Sequence, residues 1–239
     1  MRPIYRHFAS LLLALLALSA CSPSADKPSS SQSASSQQSS AEYVTLAAPQ
    51  PAEAGNKVEV IEFFAYFCSH CKAFDPSLSD WAKKNADRVV FKRVPVAFRE
   101  NMMPQQRMYF ALEAMGKLDA VHEKAFVAVQ DERLSLSAES EILEFVGRLG
   151  VDKEKFKDLY DSFGIQSKAK NAIQQQTDYK IDSVPTIAID GRFITSASHA
   201  GNRPGVQKTE AGLHAATLQV MDELVGKIIK ERKSAPSAK

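Results

Sequence analysis

The hydrophobic pattern of the chain changes most sharply around a pair of cysteines. Residues 58–64 have the sequence VEVIEFF, a run of β-branched and aromatic side chains typical of a central β-strand. Over residues 74–81 the apolar side chains recur at intervals of three and four, which predicts a helix ending near Asn85. Cys68 and Cys71 therefore lie where a strand gives way to the first turn of a helix.

Three further blocks follow along the chain. Residues 103–178 have helical spacing of apolar side chains throughout, with Pro104 well placed at the start of the first helix. Residues 183–194 predict two short strands joined by an Asp-Gly turn. Residues 205–232 predict a long amphipathic helix. This order predicts an α/β chain whose strands are separated by a helical block.

The N-terminus has a pattern of its own. A basic start precedes an apolar run of about ten residues, long enough for the core of an export signal and too short to span a bilayer. The run ends in Leu18-Ser19-Ala20-Cys21, which resembles the bacterial lipobox, whose cysteine is diacylated and becomes the mature N-terminus. Residues 1–20 are therefore predicted to be a lipoprotein signal peptide and Cys21 the lipidated residue. An ordinary signal peptide cleaved near Ala20 is the alternative.

The segment after Cys21 is almost wholly Ser, Gln, Ala and Pro, so it cannot bury apolar surface. Residues 21–42 are predicted to be the lipidated cysteine and a flexible tether with an r.m.s. span of roughly 25 Å. Residues 233–239 are predicted to be a disordered tail. A folded domain on such a tether could swing above a membrane.

Composition excludes some partners. The 239 residues are 44% hydrophobic and carry a net charge of +2, which is ordinary for a globular protein. No basic stripe interleaved with aromatic side chains is present, so nucleic-acid binding is not expected. Nothing in the pattern suggests a stable dimer, and a monomer is predicted.

The cysteine count limits what Cys68 and Cys71 can do. The chain has three cysteines, and lipid on Cys21 leaves only this pair. A bridge between them closes a short loop, and the entropic stabilisation from a crosslink grows with loop size, so a structural staple is disfavoured. Structural zinc needs four Cys or His ligands, and here one pair stands alone. A soft copper(I) site remains as a metal alternative through Met102, Met103 and Met108.

Local structure favours redox chemistry instead. At a helix N-terminus the free backbone N–H groups and the helix dipole stabilise a thiolate at Cys68. Cys71, three residues on, lies on the same helix face and within reach of the first sulfur. His70 can add a positive charge or a hydrogen bond. A stabilised thiolate favours the reduced form, so the disulfide becomes a stronger oxidant.

A strand that ends in Cys-x-x-Cys, followed later by Val-Pro opening a β-hairpin, resembles the thioredoxin fold. A thioredoxin fold interrupted by a helical domain resembles the DsbA family, and the VIEFFAYFCSHC stretch is similar to that family's active-site pattern. The resemblance implies a mixed central sheet built from residues 43–102 and 179–232, with an inserted helical domain over residues 103–178. Ser69 departs from the Pro of the best-known members, and the soluble members lack the lipobox and tether.

The resemblance implies a thiol:disulfide interchange enzyme that oxidises cysteine pairs of exported, folding proteins. Cys68 would be the exposed sulfur that substrates attack, Cys71 its shielded partner, and His70 a stabiliser of the Cys68 thiolate. Pro185 would be a cis-proline that, with Val184, binds the extended substrate backbone. A reductase or isomerase of the same fold is one alternative, and a metal-handling lipoprotein without enzymatic activity is another.

Glu62 matches an acidic residue with which DsbA proteins handle protons, although a strand-end carboxylate facing solvent is an equal alternative. The implied partners are reduced, unfolded exported proteins and a DsbB-like, quinone-linked membrane oxidase, and no bound cofactor is required. Lipid on Cys21 would hold the domain in the periplasm of a bacterial cell envelope. The inner membrane is favoured over the outer membrane as the site of the anchor.

Overall fold

The computed structural model describes residues 42–234. The predicted signal peptide, Cys21, the tether up to residue 41 and the last five residues of the predicted tail lie outside the described residues. Within residues 42–234, no helix combines the length and the apolar character needed to cross a bilayer.

A five-stranded mixed sheet forms the centre of the described part of the chain, built from β1 Val44–Thr45, β2 Val58–Phe64, β3 Val89–Pro95, β4 Thr186–Ile189 and β5 Phe193–Thr195. The strand order is β1-β5-β4-β2-β3. The predicted central strand β2 is buried along its whole length, pairs in parallel with β3 and antiparallel with β4. The mixed sheet confirms the predicted fold class.

Eight α-helices accompany this sheet in the described residues, and five of them fall within the predicted helical block. Several of them begin at a side-chain cap: the Asp152 carboxylate, for example, accepts the N–H groups of Glu154 and Lys155 at the start of the helix that follows it. The helices are α1 Ser69–Lys84, α2 Met103–Ala114, α3 Leu118–Gln130, α4 Glu139–Arg148, α5 Lys153–Tyr160, α6 Phe163–Asp178, α7 Ala197–Ala200 and α8 Glu210–Ser234.

The last helix begins later than its amphipathic pattern predicts. The prediction of a start at residue 205 is wrong, since α8 begins at Glu210. Gly205 has a φ of 80°, in the left-handed region that a helix cannot use. Thr209 caps the helix instead, because its Oγ1 accepts the N–H of Gly212 at 3.2 Å.

Two apolar layers cover the faces of the sheet. Because side chains alternate along a strand, Val58 and Val60 of β2 pack on one side against α1 and α8, whereas Ile61 and Phe63 pack on the other against the inserted helices. The carboxyl end of β2 therefore lies between the two layers. The cysteines follow directly from this end, which places them at the junction of the sheet, α1 and the inserted helices.

Candidate active site

The cysteine pair occupies the first turn of α1. A tight turn after β2, closed by the Cys68 N–H donating to the Ala65 carbonyl at 3.0 Å, directs the chain into the helix. Cys68 is the N-cap residue, and its Sγ accepts the Cys71 N–H at 3.1 Å. No acidic residue lies in this first turn to compete for the N–H groups. A sulfur thus takes the place that a capping oxygen usually fills.

Both cysteines are free thiols in the structure, and both are largely shielded. Cys71 is 0% exposed, as predicted, whereas the prediction of an exposed Cys68 sulfur is wrong because this residue is only 8% exposed. Part of the cover comes from the loop before β4, since the Cys68 thiol donates to the Val184 carbonyl at 3.3 Å. Cys68 still lines an open cleft, so a substrate can reach its sulfur from one side.

The two thiols differ strongly in acidity. Hydrogen bonding from the Cys71 side chain, helped by the Cys71 N–H and the nearby His70, lowers the pKa of Cys68 to about 7 despite the opposing effect of burial. Burial raises the pKa of Cys71 far above the ordinary value for a thiol, and the hydrogen bond to Cys68 adds to the shift. At neutral pH a large fraction of Cys68 is thiolate while Cys71 keeps its proton.

The loop before β4 completes the wall of the site. The peptide bond between Val184 and Pro185 is cis. His70, on the solvent side, lies with its Nδ1 2.8 Å from Glu210 Oε1 at the start of α8. The structure therefore brings His70, Val184 and Pro185 together with the two cysteines, as the sequence predicts.

Two clefts, each of about 460 Å³, open at the site: the first borders Cys68 and the second borders Pro185. The first has an apolar rim, with Phe67 43% exposed and its ring centroid 6.5 Å from that of Phe98. Met102 also lines this cleft. The second cleft runs along Pro185 on the far side of His70 and is lined in part by Leu213, His214 and Glu210. An extended chain could therefore lie across the site with apolar contacts beside the reactive sulfur.

Glu62 lies under the active site in the interior. It is 1% exposed, so the alternative of a solvent-facing carboxylate is wrong. Arg93 donates to Glu62 through Nε at 2.9 Å and to Asp75 through Nη2 at 2.7 Å. Burial raises the pKa of Glu62 to about 7 although Arg93 opposes the rise. Within the described residues Glu62 Oε1 has no hydrogen-bond partner, so this oxygen is free to carry a proton.

A histidine from the inserted helices extends this buried group. His122 of α3 lies with Nδ1 3.0 Å from the Tyr66 hydroxyl and with Nε2 3.4 Å from Asp75 Oδ1. Burial raises the pKa of Asp75, but the close contact with His122 and the charge of Arg93 outweigh it, so the net pKa is lowered. We call Glu62, Asp75, Arg93 and His122 the buried charge cluster.

Three members of this cluster were not singled out from the sequence as site residues. Asp75 follows Cys71 by one helical turn, a spacing that could have placed it below the cysteines. Arg93 is the register partner of Glu62 across β2 and β3, which no local pattern specifies. His122 belongs to α3 of the inserted helices, and no local pattern places it beside Asp75. No group of three His, Cys, Asp or Glu side chains between residues 42 and 234 is arranged to hold a metal ion.

Known proteins resemble this chain in both sequence and fold. The profile of the DSBA-like thioredoxin domain family matches residues 59–202. The thiol:disulfide interchange protein DsbA of Bordetella pertussis is 38% identical over 184 residues, covering 77% of this chain and 83% of that protein. DsbA of Burkholderia cepacia is 36% identical over 188 residues, covering 78% of this chain and 84% of that protein. The crystal structure of Pseudomonas aeruginosa DsbA superposes with a TM-score of 0.73 at 33% identity, covering 81% of this chain and 95% of that one.

The fold and the paired thiols at a helix start define a thioredoxin-fold oxidoreductase. With these comparisons the assignment becomes narrower: the chain belongs to the DsbA family and is a thiol:disulfide oxidoreductase. The predicted family, fold and enzymatic class are confirmed.

Proposed function

We propose that Cys68 and Cys71 form the redox pair with which this enzyme oxidises cysteine pairs of exported proteins. The observation that carries the proposal is the contrast between the thiols in one helical turn. Cys68 caps the helix with a pKa near 7, whereas Cys71 is wholly buried with a raised pKa. The acidic, cleft-lining sulfur suits attack by substrates, and the buried one suits an internal partner.

The reaction starts from the Cys68–Cys71 disulfide. A substrate thiolate attacks Cys68 Sγ, the bond to Cys71 breaks, and Cys71 leaves as a thiolate that takes up a proton. A second substrate thiolate then attacks the substrate sulfur of the mixed disulfide and releases Cys68. The substrate loses two electrons and gains a disulfide, while the enzyme pair is reduced. Release of Cys68 is favourable because its lowered pKa makes it a good leaving group.

Glu62 is proposed to handle the proton that Cys71 needs. With a pKa of about 7 it is close to half protonated at neutral pH. It lies near enough to Cys71 for its charge to raise the pKa of that thiol, and its Oε1 has no competing partner among the described residues. A neutral carboxyl group buried beside a departing thiolate is a suitable general acid.

Val184 and Pro185 are proposed to hold the substrate backbone beside Cys68. Both line the cleft that runs along His70, and Val184 also borders the apolar rim at Phe67 and Phe98. Unfolded proteins expose apolar side chains, so such a rim suits substrates that have not yet buried theirs. His70 is proposed to support the Cys68 thiolate through its charge.

The cellular setting is proposed from the sequence and the family. Membership of the DsbA family supports a domain in the periplasm of the bacterial envelope. The Leu18-Ser19-Ala20-Cys21 motif supports a lipid anchor on Cys21 with residues 22–41 as tether, at the inner membrane. A DsbB-like, quinone-linked oxidase in that membrane would restore the disulfide, and the enzyme would act as a monomer. Loss of membrane association and of fatty-acid labelling in Cys21→Ser would support the anchor; retention of both would contradict it.

The redox role is tested by equilibrating the pure protein with glutathione buffers. A reduction potential more oxidising than about −180 mV is expected for a disulfide donor. A potential near roughly −270 mV would instead identify a reductase, the second candidate for this fold.

The roles of the two cysteines are tested in cells. Cys71→Ser should accumulate mixed disulfides between Cys68 and exported proteins, because the internal partner is missing. Cys68→Ser should form none and should lose oxidase activity altogether. Absence of adducts with Cys71→Ser would refute the assigned roles.

A further inference from the structure

One residue of the inserted helices directly contacts the backbone of residues 65–71, the turn with both cysteines, which we call the redox turn. Gln130 is the last residue of α3, and its side-chain Nε2 donates to the Tyr66 carbonyl at 2.8 Å and to the Cys68 carbonyl at 3.0 Å. An amide nitrogen has two hydrogens. Both of them are used here, on carbonyls two residues apart in the same turn.

These carbonyls belong to the segment that sets the position of Cys68 Sγ. They lie on either side of Phe67, the exposed residue of the turn. The Cys68 carbonyl also accepts the Lys72 N–H at 3.1 Å, the first hydrogen bond of α1. Cys68 itself is extended, with φ −83° and ψ 111°, the conformation that lets a capping side chain face back toward the helix. Gln130 thus bonds both ends of the bend that aims the sulfur at the Cys71 N–H.

The neighbouring residue of the same loop makes a different kind of contact. Asp131 pairs with Lys72 of α1 at 2.6 Å, and both side chains are substantially exposed. A solvent-screened pair of this type holds a surface together only weakly. The half-buried Gln130 is therefore the contact at this junction that can fix the backbone of the redox turn.

We propose that Gln130 is a positioning residue for the redox reaction, through which the inserted helical segment holds the Cys68 turn in the geometry that stabilises the thiolate. This proposal rests on the assignment of Cys68 as the reacting sulfur. The effect falls more on the reduced state than on the oxidised state. In the disulfide, Cys68 Sγ is fixed by a covalent bond, whereas the thiolate keeps its place only through hydrogen bonds such as that from the Cys71 N–H.

The test replaces Gln130 with methionine, which has similar size and no hydrogen-bond donor. Gln130→Met is expected to raise the acid dissociation pKa of Cys68, seen by thiolate absorbance, and to make the disulfide less oxidising. A change of roughly three- to tenfold in the equilibrium with glutathione corresponds to the loss of about one net hydrogen bond from the reduced state. Tenfold equals about 30 mV for this two-electron couple.

Gln105→Met is the matched control. Gln105 lies on α2, and its amide donates to the Ser135 carbonyl at 2.8 Å, within the inserted segment and away from the redox turn. This variant is expected to lower the melting temperature to a similar extent while leaving the potential unchanged. If Gln130→Met lowers only the melting temperature, or if Gln105→Met moves the potential equally, Gln130 has a merely structural role and the proposal is wrong.

The wild-type protein separates this proposal from the proposed function. A wild-type potential in the reductase range would refute the oxidase assignment whatever Gln130 does. An oxidising wild type with an unchanged Gln130→Met potential would refute only the positioning role.

Discussion

The redox turn and the buried site of Glu62 lie close together and shift the pKa of their acidic groups in opposite directions. At the start of α1, hydrogen bonds lower the pKa of Cys68 to about 7. In the cluster, burial raises the pKa of Glu62 to about 7 although the Arg93 guanidinium lies 2.9 Å away. The pKa of Cys68 thus reaches about 7 from a higher ordinary value, and the pKa of Glu62 reaches about 7 from a lower one. Near neutral pH the turn therefore holds a thiol that ionises readily, while the interior holds a carboxyl group that still carries a proton, as the proposed reaction needs.

The contrast shows where a protein can support a charge at low cost. Backbone N–H groups at a helix start have no intrahelical partner, so a sulfur that accepts one of them satisfies a donor that needs an acceptor. In the cluster, burial of the Glu62 carboxylate outweighs its attraction to Arg93, so the pKa of Glu62 is raised. The helix start therefore favours the ionised form of the Cys68 thiol, while the interior favours the neutral form of Glu62.

The largest effect is expected from removing the cation of the cluster. Arg93→Met leaves Glu62 and Asp75 buried without their guanidinium, and should reduce the free energy of unfolding by about 3–5 kcal/mol above pH 7. Urea unfolding of the variant and the wild type measures this loss. Arg88→Met is the control, since it breaks a more exposed pair with Asp222 and should cost less than about 1 kcal/mol. Equal losses in the two variants would mean that the cluster is not held by Arg93.

The pH dependence of stability should expose the cost of burying Glu62. Its pKa is about 7 in the folded protein against 4.5 in the unfolded chain, so the folded state binds the extra proton between these values. The proton on Glu62 stabilises the folded protein by roughly 3 kcal/mol. This contribution is complete below pH 4.5 and is lost as the pH rises through about 7. Glu62→Gln does not titrate, so it should gain stability relative to wild type across this window.

Glu141 provides a control of opposite sign for that experiment. Hydrogen bonds from Ser135 lower the pKa of this partly exposed carboxylate, so its contribution is present above the unfolded pKa and is lost as the pH falls. Glu141→Gln should therefore lose stability relative to wild type as the pH rises through the acidic range. A Glu62→Gln difference that does not vary with pH would show that Glu62 titrates normally.

Local sequence patterns predicted the redox turn much better than the cluster. Strand β2, helix α1 and the hairpin of β4 and β5 are continuous segments with their own periodicity, and the cysteines and His70 are adjacent in sequence. Glu62 was recognised only by its place before the site, because hydrophobic patterning alone does not show that a central strand buries its carboxylates.

The partners of Glu62 and of Cys68 depend on contacts that no short pattern contains. Arg93 reaches Glu62 through the pairing register of β2 with β3. His122 and Gln130 reach the site only because α3 packs beside α1. Such long-range contacts follow from the packing of the whole fold, which the spacing of apolar residues constrains without specifying individual pairs.

Within the redox turn, the Cys71 side chain should matter most for the acidity of Cys68. Its hydrogen bond is the main reason that the Cys68 pKa falls from 9.0 to about 7. Cys71→Ala removes this donor and should return the pKa toward 9, whereas Cys71→Ser keeps a hydroxyl donor and should shift it less. The rate of alkylation by iodoacetamide against pH measures both variants. Identical profiles would mean that the backbone N–H of residue 71 is sufficient.

The smallest effect is expected at His70, whose charge ranks below the Cys71 hydrogen bonds among the influences on Cys68. His70→Ser should raise the Cys68 pKa only slightly and make the disulfide less oxidising by less than about 30 mV, a change below tenfold in the glutathione equilibrium. The exposed imidazole is already bonded to Glu210, so part of its charge is directed away from the sulfur. High salt should shrink the difference further, because interactions between exposed charges are screened. An effect larger than that of Cys71→Ala would contradict this order. It would mean that the charge of His70, and not the hydrogen bonds at the helix start, is the main stabiliser of the Cys68 thiolate.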